Sequence, residues 1–269
     1  MPFENIKLND GNEIPAIAFG TGTAHFGKDA TEYVAQALEA GFSHIDTAQF
    51  YDNEDSVGTA IRESGLARSE LYITTKYSSD PIQQSIRSSL TKLGLKYVDL
   101  YLIHFPEAVG GDFEGSWREF EKVQESGLSK SIGVSNYNLE QLQAVMKIAR
   151  IPPTVNQISL NPYNYVNHKA LLEYSHKHGI VTEAYSSLAP ITKYPGGLVD
   201  IPVNAAAKRR GATPDQIIMA WVRAKGAVIV TTSSKKARLH EYLAVADIEP
   251  LTESEVAAID EAGANGPPT

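Results

Sequence analysis

The chain has 269 residues with a formal net charge of −8, and it contains no cysteine. The negative charge disfavours nucleic acid and anionic membranes as partners, because binding to either needs a basic face. The lack of thiols excludes disulfide bonds, thiolate nucleophiles and cysteine-ligated metal sites. The N-terminal segment lacks the apolar stretch of a signal peptide, and no apolar run reaches the ~18 residues that span a bilayer. We therefore expect a cytoplasmic globular protein.

The chain begins with a predicted β-hairpin and continues as alternating strands and helices. Phe3–Leu8 and the segment from Glu13 onward flank an Asn-Asp-Gly turn at positions 9–11. Short β-branched or aromatic runs then alternate with segments of helical period, as in βα units around a parallel sheet. This pattern predicts a single (β/α)₈ barrel domain over residues 1–269, with the hairpin capping one end, and disfavours a doubly wound sheet. The eight predicted strands are Ala16–Gly20, His44–Thr47, Leu71–Thr75, Val98–His104, Ser131–Val134, Thr154–Gln157, Val181–Ala184 and Val228–Val230.

Capping signals mark the ends of several predicted helices. Polar residues at the N-cap, proline at the first helical position and glycine after the last turn mark helix ends. The longest irregular stretch runs from Ser186 to about Asp200 after the seventh strand, and it is a candidate lid. The predicted starts are Asp80-Pro81, Asn138 with Gln141, and Thr213-Pro214 with Gln216, and the predicted stops are Gly94, Gly179 and Gly226.

Four titratable side chains end or follow three consecutive predicted strands. Asp46 ends the second strand and Tyr51 lies in the loop after it, Lys76 ends the third strand, and His104 closes the fourth. Active-site residues of a barrel come from the carboxyl ends of its strands, so these groups are expected at one mouth. Taken singly, the aspartate, tyrosine and histidine are equally compatible with cap, packing and core roles. A strand-end lysine needs a partner, because burial of an unpaired ammonium is costly, and Asp46 is the expected partner.

Together these four groups are suited to the reduction of a carbonyl group. A free phenol has a pKa of about 10, and a neighbouring ammonium favours the phenolate. We expect Lys76 to lower the pKa of Tyr51, Asp46 to hold the lysine charged, and His104 to hydrogen-bond a substrate oxygen. Tyr51 is thus the predicted proton donor, and a source of hydride is still required.

The same residues lie in motifs that resemble those of the aldo-keto reductase family, nearly from end to end of the chain. The run from Gly41 to Glu54 is similar to the first signature of the family and is highly specific. By this resemblance Asp46, Tyr51, Lys76 and His104 form a catalytic tetrad. Further matches are Thr75-Lys76, Asp99 to Pro106, Gly133 to Asn136, Val155 to Gln157, and Ala184 to Ser186.

The resemblance implies NADPH as the cofactor and a small aldehyde or ketone as the substrate, without a metal ion. No GxGxxG motif follows the first strand, so a Rossmann-type dinucleotide site is not expected. The resemblance assigns the nicotinamide carboxamide to Ser135, Asn136 and Gln157, ring stacking to Tyr185, and further cofactor contacts to Thr21, Asp46, Ser186, Leu188, Thr232, Ser233 and Arg238.

The segment after the eighth strand departs from the family pattern. Many members carry Pro-Lys-Ser where this chain has Thr-Thr-Ser at 231–233, with Arg238 retained five residues later. Ser233 and Arg238 keep a hydroxyl and a guanidinium for the 2′-phosphate of NADPH. Two interpretations of Lys235 and Lys236 are open. One of them replaces the missing lysine charge, or both belong to the solvent-exposed start of a helix. A similar Thr-Thr-Ser pattern is typical of fungal members that reduce α-dicarbonyl or α-keto amide compounds.

The predicted substrate pocket is open. Gly22 and Phe105 stand where family members often carry tryptophan, and the tail after a predicted Thr252–Glu261 helix is short. We therefore expect a small activated carbonyl as substrate, such as an α-dicarbonyl or a sugar-derived carbonyl. Separately, we expect a monomer or weak dimer.

Two other functions are compatible with these residues. Barrel enzymes also use a strand-end lysine as a nucleophile, which would make Lys76 the Schiff-base residue of an aldolase or lyase. A cofactor-binding regulatory subunit with little turnover is the second alternative. Borohydride trapping with substrate tests the first, and an assay of the purified protein tests the second.

Overall fold

The hairpin covers one end of a barrel, as the sequence predicts. In the computed structural model, which describes residues 3–268, β1 (Asn5–Lys7) pairs antiparallel with β2 (Glu13–Pro15). Gly11 in the connecting turn has a φ of 90°, a conformation that favours glycine. Asp10 accepts a hydrogen bond at 2.7 Å from the hydroxyl of Ser131, near the amino-terminal end of a barrel strand. The hairpin therefore covers the amino-terminal ends of the strands.

Eight parallel strands form the closed barrel. Each strand pairs with the next along the chain and the last pairs with the first, so the sheet has no free edge. The predicted (β/α)₈ barrel is confirmed, and every predicted strand is present with ends that agree to within two residues. The strands are β3 (Ile17–Gly20), β4 (His44–Asp46), β5 (Tyr72–Tyr77), β6 (Val98–Ile103), β7 (Ser129–Ser135), β8 (Val155–Ser159), β9 (Val181–Tyr185) and β10 (Val228–Thr231).

Helices follow the strands and pack on the outside of the barrel. They bury their apolar faces against the strands in one continuous core that includes Trp117 and Trp221. The helices are α1 (Thr31–Ala40), α2 (Glu54–Glu63), α3 (Ile82–Leu93), α4 (Phe113–Glu125), α5 (Leu139–Ile148), α6 (Tyr165–Lys177), α7 (Ala189–Thr192), α8 (Asp200–Arg210), α9 (Pro214–Ala224), α10 (Lys236–Leu243) and α11 (Glu253–Ala264).

Most predicted helix ends are confirmed, with three corrections. Asn138 and Thr213 form the predicted capping boxes, and the predicted stop glycines have positive φ. Helix α3 starts one residue later than predicted, because Asp80 has a φ of 71° and Pro81 is extended. The predicted irregular segment after β9 contains α7, and α11 continues to Ala264 beyond its predicted end at Glu261.

The barrel interior changes from apolar to polar between its two ends. At the hairpin end, Leu8 and Ile14 pack against interior residues such as Leu100 and Leu102. Side chains alternate along a strand, so positions two apart point to the same side. Within residues 3–268, no helix is both long and apolar enough to cross a membrane. Towards the carboxyl ends, hydrogen bonds link the buried polar side chains of Asp46, Lys76, Gln157 and Glu183, and His44 bonds to Thr74 nearer the hairpin end.

Candidate active site

A buried ion pair lies at the carboxyl ends of β4 and β5. Lys76 Nζ donates to Asp46 Oδ1 at 2.6 Å and to the carbonyl oxygen of Thr47 at 3.0 Å. Lys76 is 0% exposed and Asp46 is 1% exposed. Burial lowers the pKa of Lys76, but Asp46 and Tyr51 together outweigh it, so the pKa lies above its ordinary value. The lysine is therefore held as an ammonium by the partner that the sequence predicts.

Tyr51 reaches this ammonium from a short 3₁₀ helix, Gln49–Tyr51, that follows β4. Its hydroxyl lies 3.3 Å from Lys76 Nζ. Burial raises the pKa of Tyr51 above its ordinary value and outweighs the lowering by Lys76. The lowering by Lys76 that the sequence predicts is therefore present, but it does not bring the pKa of Tyr51 below its ordinary value. The phenol stays protonated at neutral pH, and the ammonium is in place to stabilise a phenolate.

Gly22 lets the backbone after β3 lie against the ring of Tyr51. A Cβ atom at this position would lie 2.8 Å from Tyr51 Cζ, closer than carbon atoms approach without a shift. The glycine thus sets the position of the phenol, in addition to the widening of the pocket expected from the sequence.

His104 presents a neutral imidazole beside Tyr51. It follows β6 directly, its Nδ1 lies 3.1 Å from the hydroxyl of Ser78, and its ring stacks on Phe105 with centroids 4.0 Å apart. Burial, and to a smaller degree the Lys76 ammonium, holds the pKa of His104 well below its usual value. When Ser78 donates to Nδ1, the other ring nitrogen carries the proton and can donate to a substrate oxygen.

The predicted carboxamide-binding residues lie together on one wall. The hydroxyl of Tyr185 donates to Asn136 Oδ1 at 2.7 Å, and that of Ser135 donates to the carbonyl oxygen of Gln157 at 2.9 Å. Gln157 Nε2 donates to Asp46 Oδ2 at 2.8 Å. Asn136 has a φ of 62°, a conformation that costs energy for a non-glycine residue and is concentrated at functional sites. The wall therefore shares Asp46 with the ion pair.

The predicted phosphate-binding residues lie after β10, at the other end of the site. Thr232 and Arg238 line the cavity, and Thr232 Oγ1 is buried with no hydrogen-bond partner among the described residues. Ser233 does not line the cavity, and its hydroxyl accepts from the backbone N–H of Lys235 at 3.1 Å. Lys236 Nζ is bonded to a carboxylate on α1 at 2.8 Å, and neither lysine lines the cavity. The proposed replacement of the missing lysine charge by these two residues is therefore not supported.

One cavity of about 530 Å³ joins both ends of the site. Thr21 does not line it, because its hydroxyl is buried against Thr47 at 2.9 Å. Phe26 and Phe50, 48% and 53% exposed, form an aromatic rim with Phe105 near Tyr51 and His104. In residues 3–268 no group of three or more His, Asp or Glu side chains could hold a metal ion. The predicted residues that line the cavity are Asp46, Tyr51, His104, Ser135, Asn136, Gln157, Tyr185, Ser186, Leu188, Thr232 and Arg238.

A model of the Aldo/keto reductase family matches residues 16–194. This range includes the ion pair, Tyr51, His104 and the predicted carboxamide-binding residues. The chain belongs to this family. The family resemblance found in the sequence motifs is confirmed.

Other aldo-keto reductases cover nearly the whole chain. An "Aldo-keto reductase" of Mycolicibacterium vanbaalenii is 42% identical, over 95% of this chain and 90% of the relative. An "NADPH-dependent alpha-keto amide reductase" of Saccharomyces cerevisiae is 36% identical, over 95% of this chain and 89% of the relative. A crystal structure of a Bombyx mori aldo-keto reductase in complex with NADP has a TM-score of 0.86 and 35% identity, over 96% of this chain and 92% of that chain.

Sequence reasoning missed three polar residues of this aldo-keto reductase site. Glu183 is buried beside Gln157, Ser78 is bonded to His104, and Lys193 lines the cavity. Two signals were present in the sequence: a glutamate two residues before Tyr185, the one charged residue of its predicted strand, and a single basic residue within the predicted lid. Ser78 gave no such signal, because the turn that brings it to His104 is set by tertiary packing.

We predict that breaking the ion pair destabilises the fold more than removing it entirely. Lys76→Met and Asp46→Leu should each cost about 3–5 kcal/mol in the free energy of unfolding, because each leaves one buried charge unpaired. The double variant should cost less than the sum of the two. Urea denaturation of all four proteins provides the cycle, with Lys122→Met at the exposed Lys122–Glu119 pair as a control expected to change stability by about 1 kcal/mol or less. Additive costs would contradict the pairing.

Proposed function

We propose that this protein reduces small activated carbonyl compounds to alcohols with NADPH, and that Tyr51 supplies the proton. The observation that carries the proposal is the Tyr51 hydroxyl, which lies in the cavity wall 3.3 Å from the buried Lys76 ammonium. The reaction class and the cofactor agree with the family match, with the NADPH-dependent yeast relative and with the NADP complex of the silkworm protein. The roles of single residues and the substrate class are inferred from geometry.

The proton transfer follows from the placement of the four titratable groups. NADPH, when bound, supplies the hydride that adds to the carbonyl carbon. Tyr51 donates its hydroxyl proton to the carbonyl oxygen, which completes the alcohol and leaves a phenolate. The Lys76 ammonium stabilises this phenolate, and Asp46 keeps the ammonium charged and oriented. His104 donates a hydrogen bond to the same substrate oxygen and holds it beside the phenol.

The polar groups at both ends of the cavity fit a nicotinamide dinucleotide phosphate. Gln157 Oε1 has no side-chain donor among the described residues and would accept from the carboxamide, with Ser135 and Asn136 beside it. The unpartnered Thr232 hydroxyl and the Arg238 guanidinium would bind the phosphate of the adenosine half. The cavity therefore offers donors and acceptors where each end of the cofactor needs them.

A Schiff-base role for Lys76 is disfavoured. Nucleophilic attack needs a neutral amine, whereas Lys76 Nζ lies within hydrogen-bond distance of Asp46, Thr47 and Tyr51, and its pKa is raised. A regulatory subunit without turnover is disfavoured because Asp46, Tyr51 and His104 line one cavity, and Lys76 lies directly behind them, bonded to Asp46 and Tyr51. The monomeric or weakly dimeric state and the cytoplasmic location stay predictions from the sequence.

The aromatic rim favours carbonyl compounds with an apolar substituent. Phe26, Phe50 and Phe105 surround the opening next to Tyr51, and they offer apolar surface to a substrate. A yeast relative acts on α-keto amides, in which a second carbonyl activates the reacting one. We therefore favour α-diketones and α-keto amides over sugar-derived carbonyls.

We expect Tyr51→Phe to lower kcat by at least ~10²-fold, because the substitution removes the acidic proton and keeps the ring. The dissociation constant of NADPH, measured by quenching of protein fluorescence, should change little. Tyr33→Phe, a change of the same kind outside the cavity, serves as the matched control. Near-normal turnover of Tyr51→Phe would remove Tyr51 from its role.

The substrate preference is tested by ranking kcat/KM over α-diketones, α-keto amides, open-chain sugars and steroid ketones. The first two classes should rank highest, because they are compact, activated and apolar on one side. Phe50→Ala should reduce the preference for apolar substituents, since it removes part of the rim. A higher ranking of steroid ketones or sugars would contradict the assignment.

We expect Arg238→Ala to weaken NADPH binding about tenfold or more and to leave NADH binding nearly unchanged. Charge-assisted hydrogen bonds to phosphate contribute roughly 1.5–3 kcal/mol, and NADH lacks that phosphate. Thr232→Lys should tighten NADPH binding and make it more sensitive to salt, because it adds a cation near the same site. Dissociation constants of both nucleotides decide the matter: equal losses for NADH and NADPH in Arg238→Ala would show that this arginine does not bind the phosphate.

A further inference from the structure

Glu183 is a buried carboxyl group that the proton transfer described above does not use. It lies in β9, is 0% exposed, and accepts a hydrogen bond through Oε2 from Gln157 Nε2 at 3.0 Å. Its other oxygen, Oε1, is buried without a hydrogen-bond partner among the described residues, and His44 Nε2 is 3.9 Å away. A carboxylate with an unsatisfied buried oxygen is costly, and a proton on that oxygen removes most of the cost.

The balance of charges in the barrel also favours a proton on Glu183. Lys76 Nζ lies 2.6 Å from Asp46 Oδ1, so the lysine charge is already paired with one carboxylate. Glu183 forms no ion pair with a lysine or arginine in the part of the chain that the structure describes. Burial, followed by the neighbouring Asp46 carboxylate, raises the pKa of Glu183 to about 8.

The two carboxyl groups fix the orientation of the Gln157 amide. Its NH₂ group donates to Asp46 Oδ2 at 2.8 Å and to Glu183 Oε2 at 3.0 Å. A reversed amide would place its oxygen against two acceptor oxygens, so the hydrogen bonds define which atom is which. Since both N–H groups point into the barrel, Gln157 offers its acceptor oxygen to the cavity that it lines.

We infer that Glu183 is a positioning residue that holds a proton within the barrel, fixes the Gln157 amide and, on losing that proton, shifts the cofactor site from NADPH towards NADP⁺. The inference rests on the proposed function, which places the nicotinamide beside Gln157. The oxidised nicotinamide ring carries a positive charge and the reduced ring does not. A new negative charge behind Gln157 therefore stabilises bound NADP⁺ relative to bound NADPH.

Five titratable groups face Glu183 from neighbouring elements, and none of the four with a shifted pKa changes charge near pH 8. Burial lowers the pKa of His44 to about 4, so this imidazole is already neutral at neutral pH. Burial raises the pKa of both facing tyrosines above their usual value, and the pKa of the facing lysine is also raised. The fifth group is the carboxylate of the ion pair. The facing groups are His44 and Asp46 on β4, Tyr72 and Lys76 on β5, and Tyr51 in the 3₁₀ helix.

The experiment compares the wild-type chain with Glu183→Gln. Glutamine has the same shape and keeps an acceptor oxygen for Gln157, but it cannot ionise. Dissociation constants of NADP⁺ and NADPH are measured by fluorescence quenching from about pH 6.5 to about pH 9, the range that spans the titration. Both nucleotides carry the same phosphates, so phosphate titration cancels in the ratio of the two constants.

In the wild-type chain, the ratio of the NADP⁺ constant to the NADPH constant should fall by about three- to tenfold as pH rises through 8, the order expected for one charge acting through a polar site. In Glu183→Gln the ratio should stay flat over the same pH range, because glutamine cannot ionise. Parallel pH dependence in the two proteins, or a flat ratio in both, would overturn the inference. A wild-type chain that binds neither nucleotide would instead overturn the proposed function, and the inference with it.

A second measurement needs no cofactor. The folded-state pKa of Glu183 lies above its unfolded value of about 4.3, so its proton stabilises the fold at low pH and that stability is lost as pH rises towards 8. Glu183→Gln should therefore gain stability relative to the wild type between about pH 5 and pH 8 in urea denaturation, and the difference should level off above that range. A difference that does not change with pH would show that Glu183 holds no proton in the folded state.

Discussion

The site is organised around one ammonium group that is completely buried. Removing Lys76 from water without a partner would cost several kcal/mol, so the surrounding chain has to supply acceptors. Three of them converge on Nζ: the Asp46 carboxylate, the carbonyl oxygen of Thr47 and the hydroxyl of Tyr51. All three come from β4 and the segment after it, next to the strand that carries the lysine. The Tyr51 phenol is therefore one of the groups that make the burial of Lys76 tolerable.

Asp46 connects Lys76 at one side of the cavity to Gln157 on the wall that carries the predicted carboxamide-binding residues. One of its oxygens accepts from Lys76 and the other accepts from Gln157, whose amide also donates to Glu183. Because hydrogen bonds in a region of low dielectric polarise one another, a change of charge at one member is transmitted to the rest. The proposed proton transfer and the proposed cofactor contacts thus share one continuous buried network.

The pKa of Tyr51 depends on its burial as well as on the charge of its neighbour Lys76. A lysine beside a phenol lowers the phenol pKa, but here the burial that brings the two groups together raises it more. The result favours a phenol that keeps its proton until a substrate oxygen accepts it. In the proposed reaction the ammonium acts on the phenolate that forms, where its charge has the greatest effect.

The sequence by itself determined the barrel and brought Asp46, Tyr51, Lys76, His104 and most of the predicted cofactor-binding residues to one end of it. Alternating short strands and helices leave few architectures open, and strand ends place Asp46, Lys76 and His104 at one mouth whatever the detailed packing. Only the tertiary structure decided the features that depend on distance across the barrel. It buried the Thr21 hydroxyl against Thr47, directed Lys236 to a carboxylate on α1, and placed Glu183 behind Gln157. Local sequence patterns do not predict these contacts, because each contact joins residues far apart in the chain. The partner of each side chain depends on which of several neighbours lies closest to the shared donor or acceptor.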